Sequence, residues 1–292
     1  MTIKKIFLWL IISIIPFQVY SKIPFSTYDE IVSVHKLIDY HYSSLTVPRL
    51  FITKMPEDIK TIHGGKRVRF FIKTILPLIL FENEKIVKER NLVLHIAAKS
   101  VWSGKDLELI RETARKYRII KKNANISAMT GEEKEQLRYF LDHLIRPVPV
   151  PIALGMAALE SGWGSSRFAV EANNLFGHTT QDISSGLKPS NWNGKQRHIK
   201  KFATLSDSIG AYLLNLNRNK AYMKFRDLRR ENPSNYMKLC EGFSKYSRIE
   251  HEYIDRLKTI IGKFHLDIYF DAKLGTSEMT RFVEKIDQTY IN

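Results

Sequence analysis

The sequence is poor in cysteine and in side-chain groupings that would hold a metal ion. Cys240 is the single cysteine in 292 residues, so the fold cannot depend on an internal disulfide, and we expect a small buried hydrophobe at this position. His178, Asp182 and His198 lack the ligand spacing of a zinc site, and no His-Glu-x-x-His pattern occurs. We therefore expect no metal and no cofactor.

Acidic residues are scarce relative to basic ones. The chain has 46 Lys and Arg against 30 Asp and Glu, which gives a formal net charge of +16 and predicts an anionic partner or surface. Basic clusters lie at residues 66–69, 195–201 and 226–230. Any one of them is ordinarily a solvated face, but together they would concentrate the protein on a negative surface. No nucleic-acid-binding motif is present, so we expect no nucleic acid as partner.

The first 21 residues have the pattern of a secretory signal peptide. Lys4 and Lys5 precede an apolar run from Ile6 to Tyr20, and small Ser21 follows it. Pro16 and the shortness of the run argue against a stable membrane span, although an uncleaved anchor is the alternative. No cysteine follows the run, which disfavours a lipoprotein. The expected location is periplasmic or secreted, and an anionic envelope polymer then becomes the favoured partner.

Glu160 lies at the end of a predicted apolar helix. Pro151 suits an opening helical position, and Ile152, Met156 and Leu159 recur at i, i+4 and i+7, which predicts a core-facing stripe. Glu160 follows Met156 by four residues, so its side chain leaves the helix near this stripe. A carboxyl group in such a position is partly desolvated, and its pKa should rise toward the value that a general acid needs.

The residues after Glu160 predict a sharp turn. Ser161 and Gly162 should stop the helix, while Gly162 and Gly164 let the backbone turn and leave room for a large ligand. This pattern favours a carboxyl group on the floor of a groove. Helix position alone favours a structural glutamate that caps a neighbouring backbone amide or pairs with Arg167.

The whole run from residue 157 to residue 177 resembles the glucosaminidase family of bacterial cell-wall hydrolases, glycoside hydrolase family 73. It contains Leu-Glu-Ser-Gly-Trp-Gly at 159–164 and Asn-Asn-Leu-Phe-Gly at 173–177 at the family's spacing. Further segments resemble the Bax-type subgroup of that family: residues 70–90, 214–217, 221–222, 246–247 and 252–254.

The resemblance implies that Glu160 donates a proton to the glycosidic oxygen of a β-1,4-linked N-acetylglucosaminyl bond. Glycosidases commonly need a second carboxylate, and Asp182 is the single acidic residue between Ala172 and Ser206. Asp182 is equally compatible with a turn-forming role. The remaining candidates for the second catalytic group are Tyr246, which the family places near the reacting sugar, and the acetamido oxygen of the substrate.

Aromatic and polar residues near this motif are candidates for substrate binding. Trp163, Phe176 and Trp192 could stack on sugar rings, although Phe176 is more typical of core packing and Trp192 of a binding loop. His178 follows Gly177 in a predicted loop and could donate a hydrogen bond to the sugar. Asn174, within the Asn-Asn-Leu-Phe-Gly block, completes the predicted set.

The fold class that the pattern and the resemblance indicate is α+β and predominantly helical, with a lysozyme-like catalytic domain and a small β-hairpin. We expect a signal peptide at 1–21, a helical N-terminal region at 22–145, a catalytic domain at 146–270 and a C-terminal helix at 271–292. Three prolines between 145 and 151 mark the internal boundary. We expect a monomer.

Several helix boundaries can be predicted from local signals. Apolar spacing predicts a helix from Val68 to Glu89, in which Pro77 implies a kink or break. Ser103 and Thr130 should each open a helix. The polar segment 178–201 is typical of an active-site hairpin that ends in a strand.

Together these features predict an exported peptidoglycan hydrolase, an endo-β-N-acetylglucosaminidase that acts on glycan strands. A lytic transglycosylase is the first alternative, because such enzymes also use one glutamate in a Glu-Ser motif at a helix end. The second alternative is a cell-wall-binding protein with a degenerate site, which the missing hairpin carboxylate motivates.

Overall fold

A computed structural model describes residues 25–182, 184, 186–190, 197–244 and 250–275. Helices make up most of the described chain and the strands are short, which confirms the predicted α+β, predominantly helical class. The helices are α1 (Tyr28–Leu37), α2 (Gly64–Ala97), α3 (Gly104–Lys116), α4 (Gly131–Leu144), α5 (Val150–Ser161), α6 (Arg167–Ala172), α7 (Leu205–Arg218), α8 (Met223–Glu231), α9 (Tyr236–Cys240) and α10 (Glu250–Lys263). The strands are β1 (Thr46–Val47), β2 (Thr179–Thr180), β3 (Gly186–Leu187), β4 (His198–Lys200) and β5 (Lys273–Leu274).

Helix α2 is the longest element and passes through Pro77 without a break. Of the two expected outcomes at Pro77, the break does not occur, and the kink stays a prediction. Proline removes one helical hydrogen bond, but both sides of Pro77 are buried and α2 packs against α4, α5 and α7. Tertiary packing on several faces holds the helix together where local sequence would end it.

Helix α5 lies at the centre of the core. Every residue from Val150 to Ala158 is buried, so the predicted apolar stripe describes only part of a helix that is covered on all sides. Gly155 lets α10 approach closely, because a Cβ there would lie 2.8 Å from the Ile261 Cγ1 atom. The helix becomes accessible only near its end, at Leu159 and Glu160.

The buried hydrophobic residues form one contiguous cluster from Ile31 to Leu274. This cluster includes side chains on both sides of the proline-rich 145–151 connection. Strands β1 and β5 pair in parallel and join the early part of the chain to its late part. Residues 271–275 include β5, and the rest of the predicted 271–292 helix lies outside the described residues.

Local signals predicted the helix starts well. Helices α3 and α4 begin after Ser103 and Thr130, as predicted, and each of these residues also forms a capping box. Cys240 is fully buried, which confirms its predicted role as a small hydrophobe. Over the described ranges, no helix is long and apolar enough to cross a membrane.

Candidate active site

The end of α5 is built by a turn in which three consecutive residues have positive φ. Gly162, Trp163 and Gly164 have φ values of 58°, 57° and 77°. The buried Ser161 hydroxyl donates to the Ala157 carbonyl at 2.6 Å and accepts from the Gly164 amide at 2.8 Å. The predicted helix stop at Ser161 and Gly162 is therefore confirmed. The Ser161 hydroxyl links the last turn of the helix to the turn that follows it.

Gly164 serves close packing as well as conformation. A Cβ at this position would lie 1.9 Å from Met55 Cε and 3.1 Å from Phe71 Cδ2. Met55 and Phe71 come from before α2 and from within it. Because Gly164 has no side chain, the turn packs directly against side chains of the N-terminal region.

Glu160 is half-buried in the last turn of α5. The Tyr253 hydroxyl donates to Glu160 Oε1 at 2.8 Å, and its oxygen lies 2.9 Å from Met156 Sδ. Burial raises the pKa of the Glu160 carboxyl, while the hydrogen bond from Tyr253 and the charge of Arg256 oppose that rise. The net upward direction agrees with the burial that the sequence predicts for this side chain.

Two further side chains belong to this environment. Burial raises the pKa of Tyr222 to about 12, the negative charge of Glu160 adds to the rise, and a hydrogen bond with Asn215 opposes it. Sequence reasoning did not single out Tyr222, Tyr253 or Asn215 as site residues. All three lie in segments that resemble the Bax-type subgroup, and this resemblance is the sequence feature that could have identified them.

Arg167 does not pair with Glu160. Its Nε lies 3.0 Å from Glu171 Oε2 within α6, and its Nη1 donates to the Lys188 carbonyl and to Ser190 Oγ. The structural alternative for Glu160 that rests on Arg167 is therefore wrong. Arg167 instead ties α6 to the segment that follows β3.

The Asn-Asn-Leu-Phe-Gly block fixes the chain between α6 and the small sheet. Asn173 ends α6 with φ 49°, and its amide donates to the carbonyls of Phe202 and Ala203. Asn174 is buried: its amide donates to the carbonyls of His178 and Lys200, and its Oδ1 accepts from two backbone amides. The side chains of Asn173 and Asn174 thus form hydrogen bonds with backbone groups. Substrate binding by Asn174 stays a prediction.

Aromatic packing continues from this block. Phe176 is buried and stacks on Tyr212 with ring centroids 3.9 Å apart, which fits the packing role that its sequence position suggested. His178 meets Tyr212 and Phe202 edge to face. Burial lowers the pKa of His178 to about 4, and the charges of Lys200 and Arg218 act in the same direction, so its imidazole is neutral at pH 7.

Trp163 is partly buried and packs between two rings. Its ring centroid lies 4.6 Å from that of Phe264 and 5.6 Å from that of Phe71. The side chain links the turn after α5 to α2 and to the end of α10. A sugar-stacking role for Trp163 stays a prediction.

Asp182 lies between β2 and β3, outside the strands of a small sheet of order β2-β4-β3 in which β4 is antiparallel to both neighbours. Its Oδ1 accepts from the amide and the hydroxyl of Ser184, at 2.9 and 2.6 Å. This is the local pattern of a turn-forming aspartate. Tyr246 and Trp192 lie outside the described residues, so their predicted roles remain predictions.

Comparison with known proteins identifies the domain that carries this turn. Residues 145–266 match the glucosaminidase family, described as mannosyl-glycoprotein endo-beta-N-acetylglucosaminidase. This domain belongs to the glucosaminidase family. The family match begins at the proline-rich connection before α5 and ends after α10, so it includes Glu160, Tyr222 and Tyr253.

Two curated relatives support the assignment to the Bax-type subgroup. Protein bax of Escherichia coli (strain K12) is 28% identical over 177 residues, which cover 61% of this chain and 60% of that protein. Exo-glucosaminidase LytG of Bacillus subtilis (strain 168) is 26% identical over 192 residues, 61% of this chain and 62% of LytG. The chain thus spans about three fifths of the length of these relatives. No solved structure matches it significantly.

Proposed function

We propose that the protein is an exported peptidoglycan hydrolase that cleaves the β-1,4 bond after N-acetylglucosamine, with Glu160 as the general acid. The observation that carries this proposal is the Glu160 carboxyl itself. It lies half-buried at the end of α5, inside a glucosaminidase domain, and burial raises its pKa. A carboxyl group with a raised pKa retains its proton to higher pH and can protonate a leaving glycosidic oxygen.

The surroundings support this role. The Tyr253 hydroxyl fixes one carboxyl oxygen, and the backbone turn at Gly162 and Gly164 carries the chain sharply away from the helix end. A general acid must be held in one orientation toward the bond that it protonates. Asp182, Tyr246 and the substrate's acetamido group stay the candidates for the second catalytic role.

Export is a separate part of the proposal. It rests on the signal-like pattern of the first 21 residues and on a net charge of +16, which suits an anionic wall. Expression of the full chain in a Gram-negative host, followed by fractionation, should place the mature protein in the periplasm or the medium. Recovery of the full-length chain in the cytoplasm alone would contradict this part.

The activity is tested by digestion of purified peptidoglycan and mass spectrometry of the products. New reducing N-acetylglucosamine ends are expected, whereas anhydro-muramic ends would indicate the lytic transglycosylase. Long fragments would indicate endo cleavage, and single sugars would indicate the exo action that the name of LytG records. Binding to the wall without released saccharides would favour the degenerate wall-binding protein.

Glu160→Gln gives the direct test of the general acid. The variant keeps the shape of the side chain but has no proton to donate, so the rate should fall by about 10²–10⁴-fold. Glu171→Gln is the matched control, since Glu171 is exposed and pairs with Arg167 on α6. Equal rates for wild type and Glu160→Gln would refute the role of Glu160.

A further inference from the structure

A cavity of about 670 Å³ lies at the opposite end of α5 from Glu160. It is lined by Arg49, by α2, by the connection that enters α5 at Val150, by α8 and by the segment around β5. Glu160 follows Val150 by ten positions, which corresponds to about 15 Å along a helix axis. The cavity is therefore distinct from the surroundings of the Glu160 carboxyl.

The cavity combines an apolar wall with a basic wall. Leu80, Val148 and Phe270 are among its apolar side chains, and Arg229, Arg230 and Lys273 are among its cations. A volume of this size suits a small organic ligand rather than a simple ion. The ligand that fits such a lining has an apolar portion and a negative charge.

Carboxylates neutralise only part of the basic wall. Glu84 pairs with Arg49 at 2.8 Å, and Asp142 pairs with Arg90 and Arg146. Within the described ranges, no carboxylate pairs with Arg229, Arg230 or Lys273, although the Arg230 guanidinium donates to the Tyr139 hydroxyl. The cavity therefore carries an excess of positive charge that an anion would offset.

Arg229 gives the strongest indication of a ligand. Its side chain is only 3% exposed, yet its Nη2 and Nε atoms find no hydrogen-bond acceptor among the described residues. Nη1 is saturated by the carbonyls of Arg146 and Pro147 and by Asn217 Oδ1. The guanidinium also lies over the Phe225 ring at 5.3 Å. A buried cation with unused donors is costly, and a negative charge in the adjoining cavity would reduce that cost electrostatically.

The start of α5 adds to the positive potential. Its N-cap residue is Pro149, which offers no side-chain oxygen to this end of the helix. Pro151 has no N–H and the Ile152 amide donates to the Pro149 carbonyl, so the helix contributes mainly through its dipole. Pro149 and Val150 both line the cavity. A helix of 12 residues carries a partial positive charge at this end, so helix and side chains favour the same sign of ligand.

We propose that this cavity binds a short peptide that bears a free carboxylate, whose small apolar side chains contact the wall formed by Leu80, Val148 and Phe270. Guanidinium groups pair with carboxylates in a planar, directional way. The identification of this ligand as the peptide portion of peptidoglycan rests on the proposed function. Binding of the peptide itself involves no bond cleavage and can be measured separately.

The probe is acetyl-Ala-Glu-Ala-Ala with a free C-terminal carboxyl, titrated calorimetrically into the full mature protein at low salt. The comparison peptide replaces Glu by Gln and carries a C-terminal amide, so it has no negative charge. We expect saturable binding of the acidic peptide and at least about 10-fold weaker binding of the neutral one. Equal affinities, or no saturable binding of either peptide, would overturn the proposal.

Charge reversal at the rim locates the site. Lys273→Glu should weaken binding of the acidic peptide by about 10-fold, while Lys60→Glu makes the same change at an exposed position that does not line the cavity. Equal losses in both variants would show non-specific attraction to a basic protein and overturn the site. Inorganic phosphate that binds as tightly as the peptide would overturn the peptide assignment in favour of a simple anion site.

Glu160→Gln separates this proposal from the proposed function. The variant should bind the acidic peptide with wild-type affinity, because Glu160 does not line the cavity. Peptide binding without any wall digestion by wild type would leave the cavity proposal standing while the proposed function fails. Wall digestion without peptide binding would support the proposed function and overturn the cavity proposal.

Discussion

The two ends of α5 hold ionisable groups of opposite sign, and burial affects them differently. At the carboxyl end, burial raises the pKa of Glu160 and favours its neutral form. At the amino end, burial lowers the pKa of Arg229 to about 9, so the guanidinium still carries its charge at pH 7. A carboxyl group can escape the cost of burial by binding a proton, but a buried arginine needs a partner.

The helix itself contributes to this contrast. The partial negative charge at the carboxyl end of a helix disfavours an ionised Glu160, and the partial positive charge at the amino end favours a bound anion. The same helix thus promotes proton retention at one end and anion binding at the other. Each end can be tested without altering the other.

Arg229→Met should give the largest loss of stability. The variant leaves the Pro147 carbonyl and Asn217 Oδ1 without the bonds that Nη1 supplies, while the Arg146 carbonyl retains its bond from the Asn217 amide. Two unsatisfied buried acceptors, partly offset by relief of the buried charge, predict a loss of about 2–4 kcal/mol in the free energy of unfolding. Urea denaturation followed by circular dichroism measures it.

Arg138→Met is the matched control for this change. Arg138 is exposed and pairs with Glu135 one turn away on α4, so the loss should stay within about 0.5 kcal/mol. Similar losses in the two variants would mean that the buried guanidinium contributes nothing special at the amino end of α5.

The middle of α5 separates its two ends and is sensitive to volume. Gly155→Ala would place a Cβ 2.8 Å from Ile261 Cγ1 and 3.1 Å from Leu257 Cδ1, so α10 must shift. Overpacking of about 1–3 kcal/mol, offset by the higher helix propensity of alanine, predicts a net loss of about 1 kcal/mol in the free energy of unfolding.

Gly131→Ala provides the control in α4, since a Cβ there meets nothing within 4 Å. It should be neutral or slightly stabilising in the same denaturation experiment. A Gly155→Ala variant as stable as Gly131→Ala would show that α5 and α10 are not in close contact, and the position of Tyr253 on α10 would lose its support.

The carboxyl end of α5 could be predicted far better than the amino end. Gly162 and Gly164 announce the turn because few residues other than glycine adopt positive φ, and an apolar helix that ends in glutamate indicates a desolvated carboxyl group. The cavity at the amino end is assembled from side chains of five separate segments. No local sequence pattern predicts a cavity that forms only when separate segments pack together.

Long-range partners were the part that the sequence did not reveal. Tyr253 and Glu160 are 93 positions apart, and their hydrogen bond depends on how α10 packs against α5. The continuity of α2 across Pro77 likewise follows from packing against α5 and α7 rather than from propensity. Both features required the tertiary arrangement, whereas the helix caps at Ser103 and Thr130 required only their neighbours.

Tyr253→Phe should produce the smallest effect, a change in the pH dependence of the carboxyl end alone. The Tyr253 hydroxyl stabilises the ionised carboxylate and opposes the rise in the pKa of Glu160. Its removal should therefore raise that pKa further, so the protonated acid persists to higher pH and the alkaline limb of kcat/KM moves upward. Carbon-13 NMR titration of the Glu160 carboxyl measures the same shift without requiring activity, and Tyr42→Phe, at an exposed position, is the control. An unchanged or lowered Glu160 pKa would mean that the hydroxyl does not stabilise the ionised form, and Tyr253 would then have no part in setting the acid at this end of α5.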